Sequence, residues 1–285
     1  MPAPPGVLRL LKPAVTVVLL AVFWTWETWL PFFGRRPHRL RHATRNLVLA
    51  AGNAALLALA FGTLTVGVCT WTKESGHGLL PGLDLAPAVR FALALVLLDG
   101  WMYVWHRANH AVPLLWRFHR MHHADDTMDV TSATRFHPGE HVGSAGLRLG
   151  LIPLLGLDLT ELLVYDTLVV AVTMLHHADV SLGRWDRPLS WLIVTPDLHK
   201  VHHSRLRLET DSNYATVLSV WDRLGQSRRM RPDPRGIAFG LEEFKEDRWQ
   251  TIAGMLATPF VGRQRTARET PAGQEVATTR LTRVN

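Results

Sequence analysis

The sequence contains a single cysteine, Cys69, among 285 residues. One cysteine cannot form an intramolecular disulfide, nor can it supply a metal site that needs several thiolate ligands. Extracellular disulfide-rich domains and iron–sulfur proteins are therefore excluded. Charged residues are also scarce, since they make up 19% of the chain, whereas soluble domains usually carry about 25%. This shortage, which is concentrated in the first two thirds of the chain, argues against a freely soluble protein.

Four apolar stretches account for the low charge. A helix that crosses a hydrocarbon core of about 30 Å needs about 20 mostly apolar residues. The candidates are residues 15–33, 46–70, 86–105 and 146–175. The first contains Glu27 and is too long for a signal peptide, and no small-residue cleavage site follows it, so we predict a retained membrane anchor.

The fourth stretch is too long for one span. It is interrupted by Pro153, Asp158 and Glu161, which predicts a bent helix or a hairpin pair that need not cross the membrane fully.

Basic residues in the short loops predict the orientation. The loop after the first stretch carries Arg35, Arg36, Arg39, Arg41 and Arg45, whereas the next loop offers only Lys73. We expect the first of these loops to be cytoplasmic, so that the third span returns the chain to the cytoplasm just before His106. The predicted fold is an all-α integral membrane protein, with about four transmembrane or partly inserted helices and a cytoplasmic helical cap.

Histidine is abundant, with 15 in the chain, most of them between positions 106 and 203. Eight lie in an H-x3-H motif and two H-x2-H-H motifs: His106, His110, His119, His122, His123, His199, His202 and His203. Residues three or four apart share one face of a helix, so each motif can direct its imidazoles at a single ion. Core packing gives no reason for eight histidines to occur at ligand spacing in three motifs. The pattern predicts a metal site.

Eight imidazoles exceed the capacity of one ion, because zinc takes four ligands and iron or manganese about six. Two ions are therefore implied, and the predicted cytoplasmic helical cap carries a histidine-rich dimetal site. Carboxylates are nearly absent from the motifs, which distinguishes them from the Glu-rich di-iron bundles built on Glu-x-x-His. Imidazole binds Fe, Cu, Zn and Ni alike, so the ligand type does not select the metal.

The motifs and the residues beside them resemble the fatty acid hydroxylase superfamily, which includes the sterol desaturases, the sterol methyl oxidases and alkylglycerol monooxygenase. The matching text is Trp-His-Arg at 105–107, Pro-Leu-Leu-Trp-Arg-Phe-His at 113–119, Arg-Phe-His-Pro-Gly-Glu at 135–140 and Thr-Pro-Asp-Leu-His at 195–199. It continues through Asp-Ser-Asn-Tyr at 211–214 and Trp-Asp-Arg-Leu at 221–224. The resemblance covers roughly residues 86–225.

The resemblance implies a membrane-bound di-iron oxygenase that uses O2 and two electrons from an external donor to hydroxylate or desaturate a C–H bond of a lipid. It assigns the eight motif histidines as ligands, and adds His177 from a short H-x-N-x-x-L element and His137 from an R-x-H-P-x-E element. His176 falls on a position that is not a ligand in the family. Together with four others it is left to loops, interfaces or the surroundings of the ligands: His38, His42, His77 and His141.

Ligating histidines usually donate their second ring nitrogen to a carboxylate, a carbonyl or water. Four acids near the motifs are candidates for this role: Asp125, Glu140, Asp179 and Asp197. The sequence departs from the family in two places. Asp179 stands where the family usually has Asn, and Gly-Gln-Ser at 225–227 replaces the usual Phe-Gly-Thr, which predicts a different exit from the last helical segment.

We divide the chain into membrane anchor helices (1–85), a catalytic domain (86–225), a basic cytoplasmic segment (226–262) and a disordered tail (263–285). The basic segment lacks a nucleic-acid-binding fold and interleaved aromatics, so we expect no nucleic-acid partner. It favours docking of an acidic electron carrier, such as a ferredoxin or a cytochrome with its reductase.

Two other functions stay open at this point. A dinuclear zinc membrane hydrolase would use its ions to activate water, although the sequence has no H-E-x-x-H motif. A non-catalytic metal-binding membrane protein is the third possibility, and the full set of eight motif histidines argues against it. Neither the lipid nor the choice between hydroxylation and desaturation follows from the sequence.

Overall fold

The computed structural model describes residues 5–34 and 37–262; the predicted disordered tail lies outside these ranges. Six helices form the body of the protein: α1 (Pro5–Trp29), α2 (Arg39–Ser75), α3 (Pro87–Ala111), α4 (Pro113–His123), α5 (Pro138–Leu155) and α6 (Leu159–His177). Five shorter helices follow: α7 (Asp186–Leu189), α8 (Pro196–His202), α9 (Arg207–Thr210), α10 (Val220–Leu224) and α11 (Ile252–Ala257). No strand occurs in the described ranges, which confirms the all-α prediction; one isolated bridge joins Ile193 and Leu218.

Three of the long helices are long and apolar enough to cross a membrane: α2, α3 and α6. Of the described residues, those of α1 and α5 do not meet the same criterion. The membrane character of the chain is thus confirmed, whereas the number of four spans stays a prediction.

Proline and capping residues set the starts of the helices that matter for the site. α3, α4, α5 and α8 each begin at a proline, whose fixed φ suits the first helical turn and whose missing N–H costs nothing there. The predicted interruption of the fourth stretch is confirmed, because α5 ends at Leu155 and α6 begins at Leu159. Asp158 and Glu161 form a capping box that starts α6. Pro153, by contrast, lies inside α5.

The helices pack as pairs, α1 against α6, α2 against α5 and α3 against both α4 and α6. The largest apolar core lies among α3, α5 and α6 and includes Leu98, Ile152 and Leu162. Glu27 in α1 is buried, and its Oε2 accepts hydrogen bonds from the backbone N–H groups of Val130 and Asp179. This carboxylate therefore ties the end of α1 to loops that follow α4 and α6.

The segment after α10 returns to the histidine-bearing helices. The Arg120 guanidinium of α4 donates to the carbonyl groups of Thr258 and Val261, and the Gln250 side chain bonds to Arg135 and to the Ala124 carbonyl. The predicted basic segment thus packs against α4 and the loop that follows it.

The departure at residues 225–227 has a packing explanation. A Cβ at Gly225 would overlap the Tyr103 hydroxyl, and the Gly225 carbonyl accepts a hydrogen bond from Arg107. The neighbouring Ser227 hydroxyl lies 2.9 Å from the Tyr103 hydroxyl and donates to Asp222. A bulky residue such as Phe at position 225 would not fit beside Tyr103.

Candidate metal centre

Nine buried or half-buried histidines converge in two groups whose ring nitrogens lie within 4.8 Å of one another in each group. We name them group 1 (His106, His110, His119, His123 and His202) and group 2 (His122, His177, His199 and His203). All eight motif histidines and His177 take part. The structure thus brings together, from α3, α4, α6 and α8, residues up to 97 positions apart between His106 and His203.

The two H-x2-H-H motifs distribute their histidines in opposite ways. In α4, the residues four apart, His119 and His123, belong to group 1, and His122 belongs to group 2. In α8 and at its C-cap, the pair four apart, His199 and His203, belongs to group 2, and His202 belongs to group 1. Each motif therefore contributes to both groups, because positions i and i+4 lie above each other on a helix and position i+3 lies beside them.

Hydrogen bonds fix the tautomers in group 1. His106 Nδ1 lies 2.8 Å from the Tyr214 carbonyl oxygen, and His119 Nδ1 lies 2.9 Å from Glu140 Oε1. Both oxygens only accept, so each Nδ1 carries the proton and each neutral ring presents a lone pair at Nε2. These two Nε2 atoms are 3.1 Å apart.

Group 2 repeats this arrangement. His122 Nδ1 donates to the Arg135 carbonyl at 3.2 Å and His177 Nδ1 to the Thr173 carbonyl at 2.8 Å, while their Nε2 atoms are 3.2 Å apart. Lone pairs that face each other at this distance repel unless a cation lies between them. Two nitrogens about 2.1 Å from one ion and at right angles would be about 3.0 Å apart, so both groups fit a metal ion.

Burial keeps these imidazoles neutral, as metal binding requires. Burial and then the charges of neighbouring histidines hold the pKa of His122, His123, His199 and His203 well below the usual range. Burial lowers the pKa of His202 to about 3, although its Nδ1 donates to the Ser212 carbonyl at 2.6 Å. At neutral pH these rings are therefore available as ligands.

His137 lies outside both groups. It caps the start of α5, where its Nδ1 accepts a hydrogen bond from the backbone N–H of Gly139 at 2.9 Å. Its Nε2 lies 3.2 Å from the Leu256 carbonyl oxygen, to which it donates. Both ring nitrogens are engaged with the backbone, so the geometry gives no support to the sequence-based assignment of His137 as a ligand.

Of the four acids predicted to orient ligands, Glu140 contacts a grouped histidine, through the bond to His119. The others have different partners. Asp125 Oδ1 lies 2.8 Å from His42 Nε2, Asp179 Oδ1 accepts from the Phe33 N–H, and Asp197 Oδ1 lies 3.3 Å from Lys200 Nζ. Their positions near the motifs in sequence do not translate into contact with the rings.

Three carboxylate contacts were not predicted. Asp211 Oδ1 lies 3.4 Å from His110 Nδ1, and the matched text at 211–214 was the signal that could have indicated it. His42 bridges Asp125 and Asp129 behind the site. Burial raises the pKa of Asp125, but the charges of His42 and Arg135 outweigh it and hold that pKa well below the usual range.

A cavity of about 360 Å³ leads to the two groups, within the range of small-molecule sites, roughly 300–1,000 Å³. It is lined by one face of α6 at helical spacing: Asp166, Val169, Val170, Thr173, His176 and His177. The eleven steps from Asp166 to His177 correspond to about 16 Å of helix at 1.5 Å per residue. The opposite walls come from α2, α3 and α5, and most of the lining is apolar.

His176 was left unassigned in the sequence. It is 1% exposed, and its ring is stacked on that of His199 with centroids 3.8 Å apart. It lines the cavity beside His177 but belongs to neither group.

Comparison with known proteins agrees with this geometry. Residues 91–227 match the family described as fatty acid hydroxylase, a range that contains every histidine of both groups. Residues 91–227 form a domain of the fatty acid hydroxylase superfamily. No solved structure gives a significant match.

Relatives in this superfamily carry named lipid activities. The chain is 32% identical to ornithine lipid hydroxylase OlsE of Rhizobium tropici over 54% of its own length and 46% of the relative's. It is 27% identical to the alkylglycerol monooxygenase of Xenopus tropicalis, over 50% and 31%. It is 31% identical to a cholesterol 25-hydroxylase-like protein of Danio rerio, over 54% and 61%. The match thus covers less than two thirds of each relative.

Proposed function

We propose that the protein is an O2-dependent di-iron oxygenase that hydroxylates or desaturates a C–H bond of a membrane lipid, with a fatty acyl chain, a sterol or a related lipid as substrate. The observation that carries this proposal is the pair of histidine groups at the end of an apolar cavity in a membrane-type helical bundle. The relatives named as lipid hydroxylases and monooxygenases support the same reaction class.

The nine grouped histidines are our proposed ligands, five for one ion and four for the other. Two iron ions bound there would supply the two-electron reduction of O2 that oxidising an unactivated C–H bond requires. Glu140 orients His119, and backbone carbonyl groups orient His106, His122, His177 and His202 by holding the proton at Nδ1. With the proton held at Nδ1, each ring would offer its Nε2 lone pair to an ion without changing tautomer.

The chain also shapes the surroundings of the reaction. The cavity walls along α6 are apolar at Val169 and Val170, and the Thr173 hydroxyl is engaged with the Val169 carbonyl at 2.7 Å. An alkyl chain lying there would exclude water from the groups, which limits competing reactions. The part played by the protein chain is thus to position the substrate and to exclude water from the two groups.

Metal content and spectroscopy test the reaction class. The full chain, expressed with iron available and purified anaerobically, should contain two iron ions per protein and give a Mössbauer spectrum of a coupled pair. Two zinc ions without iron would instead favour the dinuclear hydrolase. Lipid mass spectrometry of cells with and without the gene should reveal a lipid that has gained one oxygen atom or lost two hydrogen atoms.

We further propose that the site faces the cytoplasm and receives electrons from a ferredoxin or a cytochrome with its reductase. Orientation is testable in a Cys69→Ser background, because that removes the only cysteine. Arg41→Cys and Glu74→Cys place a thiol at exposed positions near opposite ends of α2. An impermeant maleimide added to intact cells should label position 74 and not position 41; the reverse would place the site outside.

A further inference from the structure

Three buried oxygen atoms around the cavity have no hydrogen-bond partner among residues 5–34 and 37–262. They are Asn53 Oδ1, Asn109 Oδ1 and Glu140 Oε2. Their side chains belong to residues that are 3%, 1% and 8% exposed, and all three residues line the cavity. A buried acceptor without a donor is unfavourable, so a ligand that brings donors to this place would be bound.

Neighbouring groups show that the unpaired amide atom of each asparagine is the oxygen and not the nitrogen. Asn53 Nδ2 donates to the Phe136 carbonyl at 2.8 Å, and this oxygen can only accept. Asn109 Nδ2 lies 3.4 Å from Glu140 Oε1, and turning the amide would bring two oxygens together. Both amides are therefore fixed with the oxygen unpaired, which excludes the exchanged orientation of O and N.

The three acceptors lie at the metal end of the cavity. Glu140 uses Oε1 for His119, a member of group 1, and leaves Oε2 without a partner in the described part of the chain. Asn109 is one residue before His110, and Asn53 bonds the backbone of Phe136, whose ring is stacked on His122 at 4.3 Å between centroids. Substrate atoms that reach these oxygens are next to the histidine groups.

His176 adds the complementary polar group. Both of its ring nitrogens also lack a partner within the described ranges, and a neutral imidazole offers one donor and one acceptor. Along α6 the next residues of the cavity face are Thr173, whose hydroxyl is already bonded, and then Val170 and Val169. The unpaired hydrogen-bonding groups thus lie at the inner end. Val170 and Val169 come next along α6, and Asp166 at the far end is already paired with Lys12 and Arg148.

From this arrangement we infer that the substrate is a lipid with a hydrogen-bond donor, a hydroxyl, amide N–H or ammonium group, near the reacting carbon. One or more of Asn53, Asn109 and Glu140 accept from that group, according to the number of hydrogens it carries. His176 bonds a neighbouring polar atom of the substrate, and the alkyl chain lies along α6. This deepens the proposed function and rests on it, because it identifies the polar end of the substrate by its donors.

Binding of matched probes to the full chain in nanodiscs tests this inference. The probes are 1-hexadecanol, hexadecanamide and hexadecylamine, which carry donors, and methyl hexadecanoate, which has acceptors only. Measured anaerobically without reductant, at least one donor probe should bind roughly tenfold more tightly than the ester, since each hydrogen bond contributes roughly a two- to tenfold factor. Which donor probe binds best distinguishes hydroxyl, amide and ammonium.

Asn53→Leu is the informative variant, because Asn53 contacts none of the grouped histidines. It should reduce the preference for the best donor probe over the ester roughly three- to tenfold. Asn46→Leu is its matched control. Asn46 lies two turns earlier on α2, is equally buried and also has an unpaired Oδ1, but it does not line the cavity. His176→Phe, which keeps the stacking on His199, should weaken donor-probe binding with metal content unchanged.

The inference is overturned if the wild-type chain binds the ester as tightly as every donor probe, or if Asn53→Leu and Asn46→Leu change the preference equally. Because binding is measured without O2 and reductant, a failure to find an oxidised lipid contradicts the proposed function and leaves this result unaffected.

Discussion

Glu140 Oε1 accepts a hydrogen bond from His119 Nδ1 at 2.9 Å, and His119 Nε2 lies near both His106 and His123 within group 1. This carboxylate therefore fixes the ring that sits among the other ligands. Removing it leaves His119 free to rotate and to change tautomer.

We expect Glu140→Leu to weaken metal binding at group 1 by about 10- to 100-fold and to leave group 2 occupied. Titration of metal-free protein with Fe²⁺ under anaerobic conditions would measure this as one tight and one weak site. Asp197→Asn is the control, since Asp197 pairs with Lys200 instead of a grouped histidine. Two unchanged tight sites in Glu140→Leu would contradict the role given to this residue.

His177 and His137 provide a second test, because the family resemblance assigns both as ligands and the structure places only His177 in a group. His177→Ala should lower the metal content from two ions to about one per chain, because group 2 loses one of its four ligands and the remaining three bind the ion more weakly. His137→Ala should retain both ions and lose about 1 kcal/mol of stability through the missing helix cap. Metal analysis and thermal unfolding distinguish the two results. Loss of an ion in His137→Ala would restore it as a ligand.

Local signals in the sequence were sufficient for the helices. The apolar stretches predicted α2, α3 and α6, the acids at 158 and 161 predicted the break before α6, and histidine spacing predicted which rings share a helix face. These features depend on residues a few positions apart, for which helical geometry gives a direct rule.

Features set by distant residues could not be predicted. His42 bonds Asp125 across 83 positions, Asn53 bonds the Phe136 carbonyl across 83, and Glu27 bonds the Asp179 backbone across 152. His137 is a further example. The sequence around it resembles a ligand element of the family, but its Nε2 donates to the carbonyl group of Leu256 in α11, a contact that its local sequence does not indicate. Such contacts depend on how the helices pack, which spacing does not specify.

The lowered histidine pKa values predict acid sensitivity of the metal-free protein. Above pH 6.5 these rings are neutral in both the folded and the unfolded state. As pH falls below 6.5, the unfolded chain binds protons, whereas folded His202 stays neutral down to about 3. Stability is therefore lost as pH falls, by about 1.4 kcal/mol per pH unit for each such histidine. Chelated protein should unfold at a temperature that falls steeply from pH 7 to 5.5; a flat profile would contradict this.

Asp99 in the middle of α3 is a buried acceptor for four donors. Its oxygens accept from the backbone N–H groups of Val217 and Leu218, the Tyr165 hydroxyl and Trp221 Nε1. Asp99→Asn replaces one acceptor oxygen by an NH2 group that faces donors, and we expect a loss of about 1–3 kcal/mol. Asp84→Asn, at an exposed position, should be neutral. Thermal unfolding of the purified protein measures both, and equal stabilities would contradict the assignment.

Val170 tests whether the alkyl chain lies along α6. It lines the cavity two turns from the histidine end, so Val170→Phe fills space that a long chain would need while the metal groups stay intact. Once a substrate series is available, kcat/KM for a hexadecyl lipid should fall roughly tenfold, as expected from overpacking of a filled site, and that for an octyl lipid should change little. Val164→Phe is the matched control, because residue 164 is not among the cavity-lining residues and, at 3.6 residues per turn, lies on the opposite face of the same helix. Equal losses for both chain lengths would indicate that the alkyl chain takes another route. A larger side chain at position 170 should discriminate against long lipids only if their alkyl chain extends past this position.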